Sequence, residues 1–179
     1  MRVRVTSICL GYLRENCYLL EKNQQYLLVD PGEEIDKILR FINGKDIKGI
    51  LVTHHHFVHV NSLEELVRIK NIPVFSYDSL DEGVKNIGVF QVEVIFTPGH
   101  TEDSVCYYFR DDKVMITGDF LFKGTVGRCD LEGGDYQEMI NSIKKIKEYD
   151  DDITIYPGHG ESSLLGYEKR HNPYFEEMR

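Results

Sequence analysis

Short strand-like runs alternate with amphipathic helix-like segments along the sequence, and this alternation constrains the fold more than any other feature. The runs VRVTSI, CYLLE, QYLLVD and GILVTH are rich in apolar and β-branched residues and are bounded by Gly, Asn, Asp or Pro. Between them, residues 33–45 carry isoleucine and leucine at helical spacing. The second half repeats the pattern with VFQVEVIFTP, VCYYFR, KVMITGD, ITIYPG and a helix over residues 135–147. The sequence therefore predicts two sheet-and-helix halves that face each other.

A further helix is predicted over residues 61–71, directly after a cluster of histidines. Ser62 and Glu65 have the spacing of a capping box at its start, and Pro73 follows its end. The chain has 179 residues and 41% hydrophobic residues, which is enough to bury one substantial core. No linker or low-complexity tract interrupts it, so we predict a single domain over residues 1–179.

Composition excludes several classes of partner. A formal net charge of −9 argues against a nucleic-acid surface, which needs clustered Lys and Arg. The opening MRVRVTSICLGYL is too polar for a signal peptide, and no apolar run reaches the roughly 18 residues of a membrane span. The four cysteines show no C-x-x-C pair, which is typical of reduced thiols. We expect a cytoplasmic protein that acts on a small molecule, with no membrane partner.

The stretch LVTHHHFVHV, residues 51–60, contains four of the seven histidines. In an extended segment residues i and i+2 point the same way, so His54 and His56 can face one metal while His55 points elsewhere. A catalytic zinc held by histidines needs a third such ligand, and His100 in TPGHT is the natural candidate. The sequence thus predicts a three-histidine metal site.

A neighbouring site is predicted from His59, His159 in YPGH and Asp119 in TGD, with Asp119 bridging the two metals. A lone histidine is more often a surface or core residue, but the joint pattern favours metal binding. His55 and His171 are predicted not to bind metal. Asp30 in VDPG is interpreted either as a turn residue or as a hydrogen-bond partner that holds the histidine loop from behind the metal.

Five motifs resemble those of the metallo-β-lactamase-fold hydrolases, and two further segments resemble the short glyoxalase II-like (hydroxyacylglutathione hydrolase-like) members. The resemblance implies an α/β fold (α+β by some schemes), a four-layer αβ/βα sandwich of two mixed sheets flanked by helices. It also implies hydrolysis of a thioester or another acyl bond. The motifs are VDPG at 29–32, THHHFVH at 53–59, TPGHT at 97–101, TGD at 117–119 and YPGHG at 156–160, with LFKGTVGRCDLEGGDY at 121–136 and EKRHNPYF at 168–175.

The family's H-x-H-x-D-H pattern is matched here except at Val58, where the family has an aspartate that binds the second metal. An isopropyl group cannot bind a metal, so the second site is predicted to be weaker. The implied cofactor is zinc, as one or two ions, with iron or manganese as alternatives. Catalysis is assigned to Asp119 and His59 together with metal-bound water, which would attack the carbonyl carbon as hydroxide. The predicted ligands are His54, His56, His100 and Asp119 in the first site and His59, His159 and Asp119 in the second.

Val58 leaves several outcomes open. The chain is predicted to be a single-metal enzyme, a slow two-metal enzyme or a binding protein without turnover, unless Val58 only packs behind a dispensable second metal. A different reaction class, a mononuclear iron dioxygenase acting on a persulfide, would use a set like His54, His100 and Asp119. For substrate binding we name Lys123 and Arg128, although Arg128 and Asp130 are as easily interpreted as a structural ion pair.

Overall fold

The computed structural model describes residues 2–176, whose main strands form two mixed sheets. In the first sheet β1 to β3 are antiparallel, and β4 and β5 continue it in parallel. The second sheet has the strand order β13-β12-β9-β8-β7-β6, in which only the β9–β12 pair is parallel. A small hairpin, β10–β11, stands apart. The strands are β1 Arg4–Leu10, β2 Glu15–Lys22, β3 Gln25–Val29, β4 Asp46–Leu51, β5 Val74–Phe75, β6 Gly83–Ile87, β7 Phe90–Phe96, β8 Val105–Phe109, β9 Val114–Gly118, β10 Leu121–Phe122, β11 Thr125–Val126, β12 Thr154–Pro157 and β13 Ser163–Leu164.

Within residues 2–176, six α-helices and a short 3-10 helix, Arg110–Asp112, connect or flank these strands. The α-helices are α1 Ile35–Phe41, α2 Phe57–Val60, α3 Leu63–Lys70, α4 Tyr136–Lys147, α5 Leu165–His171 and α6 Pro173–Glu176. No helix within the described residues is long and apolar enough to cross a membrane.

Alternating side chains along the strands divide the interior into three apolar layers. Leu20 and Tyr107 pack between the two sheets, whereas their neighbours Leu19 and Tyr108 point outward. This follows from the two-residue repeat of a strand, which sends successive side chains to opposite faces. Leu19 joins the layer covered by α1 and α3, and Tyr108 joins the layer covered by α4, α5 and α6. The layer order is therefore helices, sheet, sheet, helices, which confirms the predicted α/β sandwich.

The start of α3 differs from the predicted capping box. The Ser62 side chain makes no capping hydrogen bond, so the prediction of a capping box is wrong. A capping residue normally has an extended backbone, but Ser62 has φ −90° and ψ −3° because α2 and Asn61 already lead into the helix. Its backbone N–H donates to the Gly32 carbonyl at 2.8 Å, and this bond ties the helix to the VDPG turn.

The strand order brings four polar segments to one edge of the sandwich. Strands β7, β9 and β12 run in the same direction, so the residues that follow them lie at the same edge of the second sheet. The segment after β4 joins this edge, because the Val105 N–H donates to the Thr53 carbonyl at 2.8 Å. These segments carry His54, His100, Asp119 and His159.

Candidate metal centre

Three histidines meet at this edge with their ring nitrogens close together. One nitrogen from each of His54, His56 and His100 lies within 4.8 Å of the others. The closest pair is Nδ1 of His56 and Nε2 of His100, at 3.0 Å. His54 and His100 are buried and His56 is partly exposed, so the cluster has one side open toward solvent.

Asp119 lies between this cluster and two further histidines. Its Oδ2 is 3.6 Å from Nε2 of His100 and 3.9 Å from Nε2 of His54. The same oxygen is 3.4 Å from Nε2 of His159, and Oδ1 is 3.4 Å from Nε2 of His59. All six residues predicted as ligands are thus brought together around one carboxylate.

Several buried polar atoms of this cluster have no hydrogen-bond partner among residues 2–176. They are Nε2 of His54, Nε2 of His59 and Oδ1 of Asp119. Leaving such atoms unpaired is costly, and divalent cations bound at this cluster would satisfy them. Imidazole and carboxylate are also the ligand types that zinc and iron accept. The residues present therefore fit a metal ion.

Gly158 leaves room for that ion. A Cβ at this position would lie 2.2 Å from Oδ1 of Asp119 and 2.8 Å from Cε1 of His59. Any larger residue would push into the space between these two ligands.

Hydrogen bonds from outside the cluster fix the rings. Nδ1 of His100 donates to the Arg128 carbonyl at 2.8 Å, and Nδ1 of His159 donates to the Leu13 carbonyl at 3.0 Å. A carbonyl oxygen only accepts, so Nδ1 carries a proton in both rings and Nε2 is the nitrogen that faces Asp119.

Asp30 holds two more of the rings. Its carboxylate accepts from the Thr53 backbone N–H at 2.8 Å and hydroxyl at 2.6 Å, and it lies 3.1 Å from Nδ1 of His59. The Thr53 hydroxyl in turn lies 3.0 Å from Nδ1 of His54. Asp30 also has φ +48°, a turn conformation that Asp tolerates better than most residues. It is at once a turn residue and a hydrogen-bond partner of the cluster.

Burial and charge set the protonation of the cluster. Burial, followed by the neighbouring imidazoles, lowers the pKa values of His54 and His56, which keeps both rings neutral and able to bind a cation. Burial alone would lower the pKa of His59, but Asp119 and Asp30 outweigh it and raise this pKa to about 10. Burial would raise the pKa of Asp119, yet His159 and His59 hold it well below its usual value.

The remaining residues singled out in the sequence lie outside the cluster. His55 is exposed and its Nδ1 is 2.5 Å from Asp103, while His171 is exposed and stacks on Tyr167. Val58 is half-buried in the short helix α2, next to His59 in the chain.

The two predicted substrate-binding cations are both exposed and paired. Lys123 forms an ion pair with Glu161 at 2.7 Å. Arg128 contacts Asp130 through two nitrogens, at 2.7 and 2.8 Å. Their roles toward a substrate stay predictions.

Glu15 is a residue of this region that the sequence reasoning missed. It opens β2, its side chain is buried beside His59, and neither carboxylate oxygen has a partner in the described part of the chain. Burial raises its pKa to about 9, and Asp30 and Asp119 add to this rise against the opposing charge of His59. The one signal in the sequence is an acid just before the strand-like run CYLLE.

A cavity of about 870 Å³ opens beside the cluster at His56. Its walls include four acidic residues, one of which, Asp103, pairs with His55. The lining residues are His55, His56, Tyr77, Asp78, Thr101, Glu102, Asp103, Glu132 and Gly133.

Comparison with known proteins gives the class to which this fold and cluster correspond. Residues 10–86 and 77–159 match the metallo-beta-lactamase superfamily. The chain belongs to this superfamily.

Individual relatives cover nearly the whole chain. It is 34% identical to the probable metallo-hydrolase YqgX of Bacillus subtilis (strain 168), over 92% of this chain and 93% of the relative. It is 31% identical to the hydroxyacylglutathione hydrolase GloC of Haemophilus influenzae, over 90% of this chain and 92% of the relative. Among solved structures, TTHA1623 in a di-iron-bound form is similar with a TM-score of 0.87 and 32% identity, over 94% of this chain and 99% of that one.

Proposed function

We propose that this protein is a metal-dependent hydrolase that cleaves the thioester bond of a hydroxyacyl-thiol. The observation that carries the proposal is the group of unpaired buried atoms on His54, His59 and Asp119. The hydroxyacylglutathione hydrolase among the similar proteins supports the choice of a thioester.

The residues divide into two ligand sets that share Asp119. His54, His56 and His100, with Asp119 beside them, would hold the first ion. His59 and His159, which both face Asp119, would hold a second ion together with it. We take zinc as the first candidate, with iron and manganese as alternatives. A bound divalent ion supplies Lewis acidity, which lowers the pKa of a water molecule and polarises a carbonyl group.

The protein's own residues provide orientation and charge. Asp119 stays ionised because His159 and His59 lower its pKa, so its oxygens are available as acceptors at neutral pH. His54 and His56 stay neutral, and His100 is held by the Arg128 carbonyl. The substrate would enter through the cavity beside His56, where the acyl carbon can approach the ligand cluster. The overall reaction adds water across the acyl C–S bond and gives a carboxylate and a thiol.

Because Val58 stands where the family has a metal-binding aspartate, the second ligand set contains one carboxylate fewer than in the family. We therefore expect the second ion to bind more weakly than the first. We place the reaction in the cytoplasm, and the four free cysteines support this because such thiols are typical of a reducing compartment.

The test is hydrolysis of an S-(2-hydroxyacyl)glutathione, followed by thiol release, with metal-stripped protein and with protein reloaded with zinc, iron or manganese. We expect activity only after reloading, and its loss in His54→Ala. Oxygen uptake with glutathione persulfide, without thioester hydrolysis, would instead identify the iron dioxygenase. Metal binding without either reaction would identify a binding protein.

A further inference from the structure

The rings of the first ligand set are not held equally. Nδ1 of His100 donates to the Arg128 carbonyl at 2.8 Å, and Nδ1 of His54 lies 3.0 Å from the Thr53 hydroxyl. The ring of His56 contacts the rings of His54 and His100, but among the described residues it makes no hydrogen bond outside the ligand cluster. A partner behind the ring normally orients a metal-binding histidine. The direction of the His56 ring therefore depends on how its backbone is fixed.

Asp103 fixes this backbone through the neighbouring residue, His55. Oδ2 of Asp103 accepts from the backbone N–H of His55 at 3.1 Å and lies 2.5 Å from Nδ1 of the same residue. Residues 54–56 belong to no helix or strand, and of their backbone N–H groups only that of His55 donates to a residue that the structure describes. Successive residues of an extended segment point to opposite sides, so a bond that fixes His55 also sets the directions of His54 and His56.

Asp103 can anchor the histidine segment because its own segment is fixed. Residues 97–104 connect β7 to β8, and their two ends are joined where the Thr97 N–H donates to the Ser104 carbonyl at 2.9 Å. Gly99 lies directly against α4, since a Cβ on it would be 2.5 Å from the backbone of that helix. The Asp103 carboxylate thus ties an irregular segment to a closely packed one.

The two segments that Asp103 joins supply all three histidines of the first set. His100 is in the segment of Asp103, and the other two histidines are in the segment of His55. The Val105 N–H also joins the segments by donating to the Thr53 carbonyl, but that bond lies at the strand end of the histidine segment. Asp103 is the link beyond it, beside the ligands themselves.

We propose that Asp103 is a positioning residue for the first ion, and that it sets the direction of His56 through its bond to the backbone of His55. The inference rests on the proposed function, since it assumes that the first ligand set holds metal. A site binds tightly when its ligands are held near the required geometry before the ion arrives. Without the bond to Asp103, residues 54–56 would have to be ordered when the ion binds, and this ordering lowers the affinity.

The experiment measures the zinc affinity of metal-stripped protein by competition with a chromophoric chelator, for the parent and for Asp103→Ala. We expect Asp103→Ala to weaken the tighter binding event about 10-fold, because partners behind metal ligands have effects of this size. The weaker event should change less, since His59 lies in α2 and His159 follows β12.

Three further variants separate the contacts of Asp103. Asp103→Asn keeps an oxygen that accepts from the backbone N–H of His55, so we expect it to retain most of the zinc affinity. His55→Ala removes the ring contact but keeps the backbone bond, and its zinc affinity should be close to that of the parent. Glu102→Ala is the matched control, because it removes a neighbouring exposed carboxylate from the same cavity wall.

A purely structural role for Asp103 predicts different results. In Asp103→Ala it would weaken both binding events alike and lower the thermal stability of the metal-stripped chain, or prevent folding. That outcome, a parent-like affinity in Asp103→Ala, or an equally large loss in any of the three further variants would each overturn the inference. A parent chain that binds no metal would instead overturn the proposed function.

Discussion

Nε2 of His59 and Oδ1 of Asp119 lie 3.4 Å apart, both buried, and neither has a hydrogen-bond partner among the described residues. The opposite side of the His59 ring is held by Asp30 at 3.1 Å, so the ring is fixed with its free nitrogen toward Asp119. A metal ion bound by both residues would satisfy the two facing atoms.

Removing a first-set ligand should remove metal. In His54→Ala we expect the tightly bound ion to be lost and hydrolysis to fall at least about 100-fold, because the imidazole is buried and no other side chain can replace it. Metal content after dialysis and thiol release measure the two effects. His171→Ala is the control, since His171 is exposed and stacks only on Tyr167.

Restoring an acid at position 58 should strengthen the second site. Val58→Asp adds a carboxylate next to His59, and we expect tighter binding of the second ion and faster thioester hydrolysis. Phe57→Asp, at the exposed start of the same short helix, is the control for added charge alone. An unchanged affinity for the second ion would mean that Val58 does not limit metal binding at the second site.

Filling the space beside Asp119 should impair metal binding without unfolding the chain. The Cβ of Gly158→Ala would come within 2.2 Å of Oδ1 of Asp119, so this carboxylate must move. We expect weaker metal binding and lower activity, with a circular dichroism spectrum like that of the parent. Normal metal affinity in this variant would contradict the placement of the ion between Asp119 and His59.

Replacing Asp30 should weaken metal binding, because Asp30 holds histidine rings of the cluster in place. Asp30→Asn keeps a residue that tolerates the φ of +48° but weakens the contacts with Thr53 and His59. We expect about 10- to 100-fold lower metal affinity, since partners behind metal ligands have effects of this size. Asp36→Asn, in the exposed first turn of α1, should leave the affinity unchanged.

The metal-stripped protein should become less stable as the pH rises. Burial, with Asp30 and Asp119, raises the pKa of Glu15 from 4.5 to about 9, so the folded chain keeps a proton that the unfolded chain releases above pH 4.5. Unfolding is then favoured progressively between these two values, by at most about 1.4 kcal/mol per pH unit. His59 acts in the same direction, because its pKa rises from 6.5 to about 10.

Urea denaturation at about pH 6 and about pH 8 measures this dependence. We expect a smaller decrease in Glu15→Gln than in the parent, and the same decrease as in the parent in Glu21→Gln. Equal decreases in all three proteins would contradict the raised pKa of Glu15.

The sequence predicted the two halves and their layers because the strands and helices have clear periodicity. Leu19 and Leu20 face opposite layers as a two-residue repeat requires, and α4 begins at Tyr136 with Asp135 accepting from the Glu138 N–H. Periodicity could not predict the conformation of Ser62, because it depends on the short helix that precedes it.

That these residues would lie close together was predictable, since His54, His100 and Asp119 each follow a strand-like run. Their role as metal ligands stays a prediction. Glu15 was not predictable from this logic. It opens a strand instead of following one, and its burial beside His59 depends on the packing of β2 against α2. A buried acid of this kind is recognised only when its missing partners can be checked in three dimensions.

The central claim is that the cluster around Asp119 binds metal, and a count of metal per chain tests it most directly. Elemental analysis after zinc, iron or manganese loading and dialysis should give at least one equivalent in the parent chain and less in His54→Ala. No retained metal in the parent with any of these ions would contradict the account.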